Sequence, residues 1–183
     1  MDATLASLIG TTIGALSGIV GGFFASRYQS KIEKEKWVRE QKEQTNKNVR
    51  IAVNEFAKKI AEGIHVICWL CWRARYAPDV FNSEHIDEYE KEMKMVFPAL
   101  VSSRINLASL DKEYHEKLTM IIDEFYKLES ELGQVYSKYQ VESNKSLIIE
   151  IGEFWDRAIN LDKKLVTDTA KIISSQYSAL IDN

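Results

Sequence analysis

The chain has 183 residues, of which 28% are charged, and a net charge of −3, so it is long enough for one ordinary domain and a short additional segment. Residues 27–50 hold eight Lys and Arg against four Glu, whereas residues 51–183 hold 16 Lys and Arg against 22 Asp and Glu. This acidic larger part disfavours nucleic acid as a partner, and two cysteines as close as Cys68 and Cys71 exclude a disulfide-stapled secreted domain.

The first predicted element is a transmembrane helix from Ala3 to Ser26, a segment of 24 residues without a charged side chain. At about 1.5 Å per residue such a helix is about 36 Å long, slightly more than the hydrocarbon core of a bilayer, which is about 30 Å. A cleaved signal peptide is the alternative. It would need a basic start and small residues at its cleavage site, where this chain has Phe23 and Phe24. We therefore expect a retained single-pass anchor over residues 1–27.

Basic residues directly after this segment predict its orientation. Lys and Arg beside a membrane span are retained on the cytoplasmic side, and the residues before the span contain neither. We expect a protein of the cell inner membrane whose N-terminus lies outside and whose C-terminal body is cytoplasmic.

One side of the predicted span consists of small residues, and bulky apolar residues occupy most of the other side. Small side chains let a second helix approach closely within the lipid bilayer. The pattern is typical of a glycine zipper and predicts a homo-oligomer through the transmembrane helix, although the spacing could also be incidental. The small residues recur at every fourth position: Ala6, Gly10, Gly14, Gly18, Gly22 and Ser26.

Residues 28–48 predict a charged helical stalk that continues from the span. The large aliphatic and indole residues in this segment are Ile32, Trp37 and Val38, and no Pro or Gly interrupts it. Glu35 and Arg39 form a favourable pair at i,i+4. The basic residues serve either topology and solvation or attraction to anionic lipid headgroups, and the sequence leaves both interpretations open.

Residues 49–183 predict an all-α cytoplasmic body, an antiparallel helical bundle in which each long helix buries one apolar stripe. Apolar residues at spacings of three and four predict three long helices. Ser109 or Asp111 is available to cap the second of them. A shorter helix is predicted from Ser83 to about Val96, with Pro98 in the first turn of a further short helix. The stripes are Val49, Ala52, Phe56, Ile60, Ile64, Ile67 and Cys71; Leu107, Leu110, Tyr114, Leu118, Ile121, Phe125, Leu128, Leu132, Val135 and Tyr139; and Leu147, Ile151, Phe154, Ala158, Leu161, Leu165 and Ile172.

A cluster of Glu62, His65, Cys68 and Cys71 is the nearest approach to a metal site, but it lacks the second Glu-x-x-His of a di-iron bundle. No catalytic motif or phosphate-binding loop occurs, so we predict no enzyme, metal site or cofactor. The acidic segment 85–92 is interpreted as a solvated helix face.

Trp69 and Trp72 lie in a segment, residues 64–72, that is apolar around nearly its whole circumference. An apolar helix needs cover on every side. The two indoles are therefore either core or a possible partner surface.

These features favour an interaction protein: its span oligomerises, and its cytoplasmic bundle recruits an unidentified protein partner to the membrane. The alternative is a membrane-perturbing effector, pore-forming or holin-like, in which Ser7, Thr11 and Ser17 line a narrow polar path. An enzyme or metal protein that uses Glu62, His65 and the two cysteines is the third hypothesis.

Overall fold

The structure, a computed structural model, describes residues 25–174 with their side chains and, beyond them, only the extent of the first and last helices. Its described residues form four helices and no strand: α1 (Ala3–Tyr76), α2 (Ser83–Leu110), α3 (Lys112–Glu142) and α4 (Lys145–Ile181). The predicted all-α class is confirmed. The chain divides into two units, Met1–Asn46 and Lys47–Asn183.

In the first unit, most of the predicted transmembrane helix lies outside the residues whose side chains are described. That holds for Ala6, Gly10, Gly14, Gly18 and Gly22, whereas Ser26 is described and exposed. Residues 25–174 contain no helix with an apolar stretch long enough to cross a bilayer.

The segment predicted as a stalk is helical, and its side chains are exposed from residue 28 to residue 45. Its ion pairs lie along the helix surface. Lys31 Nζ lies 3.9 Å from Glu35 Oε1, and Lys36 Nζ lies 3.8 Å from Glu40 Oε1. Exposed pairs of this kind contribute only a few tenths of a kcal/mol each, about 0.3–0.5.

The second unit is a four-helix bundle, formed by α1 from Lys47 onward, α2, α3 and α4. Every residue of the first and third predicted stripes is buried, so the 3.6-residue period identified these two core faces. The contacts between α2 and α3 run in opposite order along the two helices, as antiparallel packing requires. Tyr89 meets Tyr136 with ring centroids 5.6 Å apart, and eight residues later on α2 Phe97 meets Phe125 at 6.2 Å.

The prediction of a helix ending near Val96 was wrong, because α2 continues through Pro98 as one helix of 28 residues. Pro98 is exposed. Proline has no N–H, so the Lys94 carbonyl lacks its usual helical hydrogen bond. Because Pro98 lies on the exposed side of the helix, water can reach this carbonyl. Met93 and Leu100 on the opposite side are buried and hold both halves of α2 on the core.

The second predicted stripe is divided between two helices, since Leu107 and Leu110 belong to α2 and the remainder to α3. Asp111 is the single residue between them, and of the two predicted caps it is the one that caps α3. Its carboxylate accepts a hydrogen bond from the Tyr114 N–H at 3.0 Å, while its own N–H donates to the Leu107 carbonyl at 2.9 Å. One residue thereby ends α2 and starts α3.

Candidate functional site

Trp69 and Trp72 lie on adjacent turns of α1 in the bundle, and both are partly exposed, at 43% and 39%. Their rings stack with centroids 5.3 Å apart and an interplanar angle of 4°. Residues at i and i+3 share a helix face, so the stack follows directly from the sequence spacing. Trp is enriched at protein–protein interfaces relative to the rest of the protein surface.

Arg73 also contacts the stacked pair. Its guanidinium carbon lies 4.7 Å from the centre of the Trp69 ring, and its Nη1 lies 3.7 Å from the Glu88 carboxylate of α2. Trp69 therefore contacts both a cation and Trp72, an arrangement that combines cation–π attraction with ring stacking.

The end of α1 closes against α4. Tyr76 contacts Trp72 with centroids 6.0 Å apart and meets Trp155 of α4 edge-on at 6.4 Å. The Arg75 guanidinium donates to the Asp156 carboxylate at 2.7 Å. Gly152 permits this approach, since a Cβ there would lie 3.0 Å from the Arg75 Cα.

Between α1 and α4 lies an open apolar groove of about 340 Å³, called the Trp groove below. Such a volume lies at the lower end of the range for ligand sites, about 300–1,000 Å³. Asp162 is the one carboxylate in its wall, and it forms no salt bridge with any residue between 25 and 174. The groove is lined by Ile64, His65, Cys68, Trp69, Trp72, Trp155, Ile159 and Asp162.

Both cysteines are buried as free thiols. Burial, and to a smaller extent the charge of Asp162, raises the pKa of Cys68 to about 11. Burial also raises the pKa of Cys71, and the neighbouring Cys68 adds to the shift. Because a thiol with a raised pKa stays protonated at neutral pH, these side chains act as small apolar groups and are poor nucleophiles or metal ligands.

The other two residues of the predicted metal cluster, Glu62 and His65, do not converge on a common site. Glu62 Oε2 accepts from Lys59 Nζ at 2.7 Å, and His65 is exposed and lines the Trp groove. Within the described part of the chain, no three His, Cys, Asp or Glu side chains are arranged to hold a metal ion.

Three residues of the acidic segment 85–92 have hydrogen-bond or ion-pair partners, and one of them is Glu90, whose Oε2 lies 3.8 Å from Lys94 Nζ. The His85 Nδ1 accepts from the Asn82 N–H at 3.1 Å as half of a capping box, and Glu88 pairs with Arg73. Asp87 and Glu88 are exposed, in agreement with a solvated helix face.

Sequence reasoning named Trp69 and Trp72 but missed the α4 wall of the groove, namely Trp155, Ile159 and Asp162. These residues are about 90 positions away, and only the pairing of α1 with α4 brings them together. The sequence did contain a signal for this wall. Trp155 and Ile159 directly follow Phe154 and Ala158 of the third stripe, so the apolar face of α4 is wider than packing against a single neighbouring helix requires.

No model of a protein family matches the chain, and neither a curated protein nor a solved structure matches it.

Proposed function

We propose that the protein is a single-pass membrane-anchored interaction protein that oligomerises through its N-terminal helix and presents its bundle to a cytoplasmic partner. The observation that carries the proposal is the Trp groove. Apolar aromatic side chains held in place at a surface are the residues from which binding hot spots are built. The described site offers no activated nucleophile, since both thiols are buried with raised pKa values.

The membrane part of the proposal rests on the uncharged segment Ala3–Ser26 and the basic residues that follow it. Small residues at every fourth position support close packing of spans. The cationic segment 27–50 supports a cytoplasmic body at the inner membrane.

The partner we propose for the Trp groove is an amphipathic helix with a basic residue at the edge of its apolar face. Two antiparallel helices with an apolar furrow between them match the helix-in-groove mode of recognition. Asp162, which no described cation pairs, supplies the charge that selects a Lys or Arg in the incoming helix.

A designed pair of peptides tests this assignment. Both are helical with the same Leu face, and one carries Lys and the other Glu beside that face. We expect the Lys peptide to bind the full chain in detergent more tightly, Trp72→Ala to weaken it at least tenfold, and Asp162→Lys to reverse the charge preference, all measured by titration calorimetry.

Ile149→Ala is the matched control for the groove variants, because this residue is exposed and apolar but does not line the groove. Equal affinities for the two peptides, or equal loss of binding in Ile149→Ala, would contradict the assignment of the groove.

The membrane-perturbing alternative is tested separately in bacteria. Membrane potential and growth are compared for the wild type, Gly14→Leu and a chain lacking residues 1–26. We expect no depolarisation at high expression. Depolarisation that Gly14→Leu abolishes would instead support an effector whose spans assemble around a polar pore. Cross-linking would show separately whether Gly14→Leu or Gly18→Leu reduces the amount of oligomer.

A further inference from the structure

The second half of α2 carries an exposed apolar face that no function proposed above uses. Met95 and Ile105 are each 64% exposed, and Val101 is 47% exposed. Pro98 and Ser102 are exposed on the same side of the helix. This α2 face covers about 15 residues, or about 22 Å of helix.

The α2 face is also free of charge. Between residues 95 and 110 the only charged side chain is Arg104, and its Nε donates to His115 Nε2 at 3.2 Å. In a chain with 28% charged residues, an exposed helix face without charge is unusual. The first half of α2, residues 83–94, is instead strongly charged and net acidic, because Lys91 and Lys94 stand against five carboxylates: Glu84, Asp87, Glu88, Glu90 and Glu92.

We propose that the α2 face binds the α2 face of a second copy of this chain, with the two helices antiparallel and the twofold axis close to Ser102. In a twofold interface each residue near the axis meets its own copy, so a charged residue there would face a like charge. An uncharged apolar face meets this requirement, and the acidic remainder of α2 does not.

The charge distribution along α2 also selects the antiparallel arrangement. Parallel pairing would place the carboxylates of the two first halves side by side, where like charges repel. Antiparallel pairing moves the two acidic halves to opposite ends of the interface. It also places Met95 of one copy opposite Ser109 of the other, since both lie seven residues from Ser102.

One helix face is small for an interface, because stable complexes bury about 1,200–2,000 Å² in total. The pairing therefore depends on concentration. The contact requires neither the proposed anchor nor the Trp groove.

Cysteine cross-linking of the full chain in detergent tests both the contact and its direction. The native Cys68 and Cys71 are buried, so an introduced surface cysteine is the reactive one. We expect Ser102→Cys to form a disulfide-linked dimer. Met95→Cys alone and Ser109→Cys alone should not, whereas a mixture of these two variants should cross-link.

Lys138→Cys, an exposed position on α3, measures random collision. Ile105→Glu, at an exposed position that tolerates a charge in the monomer, should reduce cross-linking of Ser102→Cys at least tenfold. Gly14→Leu should leave the Ser102→Cys cross-link in place even if it disrupts association of the spans, which separates failure of this proposal from failure of the proposed anchor.

Three outcomes would overturn the proposal. Cross-linking of Met95→Cys with itself as efficient as that of Ser102→Cys would indicate parallel helices. Equal cross-linking at Lys138→Cys would indicate collision alone. Protection of Ser102→Cys from a water-soluble maleimide in lipid vesicles that hold one copy each, but not in detergent, would show that lipid covers the α2 face.

Discussion

The Tyr89 hydroxyl is buried without a hydrogen-bond partner among the described residues. Its ring is 3% exposed and lies edge-on to Tyr136. Burial raises the pKa of Tyr89, with a smaller contribution from the charge of Glu129. An unpaired hydroxyl in an apolar site costs about 1–3 kcal/mol, so this residue reduces the stability of the core.

We therefore expect Tyr89→Phe to raise the free energy of unfolding by about 1 kcal/mol. Tyr139→Phe is the matched control. The Tyr139 hydroxyl is also buried, but it donates to the Phe81 carbonyl at 3.4 Å, so its removal should lower stability by about 0.5–1 kcal/mol. Denaturant titration of both variants measures the difference, and equal effects of the two changes would refute the explanation.

At the scale of single elements, α1 and α3 approach each other at Gly63. A Cβ at this position would lie 2.7 Å from the Phe125 ring, which is fully buried. Gly133 on α3 has open surroundings, since its nearest neighbour would be the Tyr136 hydroxyl at 3.7 Å. The same chemical change should therefore have opposite effects at the two glycines.

We expect Gly63→Ala to lower the free energy of unfolding by about 0–2 kcal/mol, because overpacking costs about 1–3 kcal/mol and helix propensity returns about 1 kcal/mol. Gly133→Ala should raise it by about 0.5–1 kcal/mol through propensity alone. Thermal unfolding of the two variants decides the matter, and a stabilised Gly63→Ala chain would show that Phe125 has room to move.

At the scale of the whole molecule, the two units differ in what holds their helices. The side chains of residues 28–45 are exposed, whereas residues of the first stripe, such as Phe56 and Ile60, are fully buried. A helix without tertiary packing depends on propensity and weak surface pairs, and such helices open readily.

We expect hydrogen exchange of the full chain to show backbone amides of residues 30–44 exchanging at least a hundredfold faster than those of residues 56–71. Mass spectrometry of peptic fragments resolves the two segments. Equal protection would mean that residues 30–44 are packed against another chain, which dilution of the protein would then reverse.

The sequence predicted the core better than the helix ends. Stripes at a period of 3.6 identified the buried faces of α1 and α4, because burial depends on periodicity that any single helix displays. The end of α2 was misplaced because Pro98 was interpreted as the start of a helix. Exposure of its ring and burial of Met93 and Leu100 on the other side let the helix continue.

The candidate site was only half predictable for a related reason. Trp69 and Trp72 are neighbours in sequence, so their shared helix face follows from spacing. Asp162 and Trp155 join them only through the packing of α1 on α4, and a single sequence contains no record of which apolar stripes face each other. The residues that complete such a site are found from the fold.

The stacked pair in the Trp groove also gives the protein an optical reporter. Indole emission shifts to shorter wavelength when water is excluded from the ring, and Trp69 and Trp72 are both partly open to water. The chain has four tryptophans, and Trp37, which is 60% exposed, lies in the other unit. In a Trp37→Phe background the remaining emission comes from the three indoles that line the groove, so occupancy of the groove becomes visible without any attached dye.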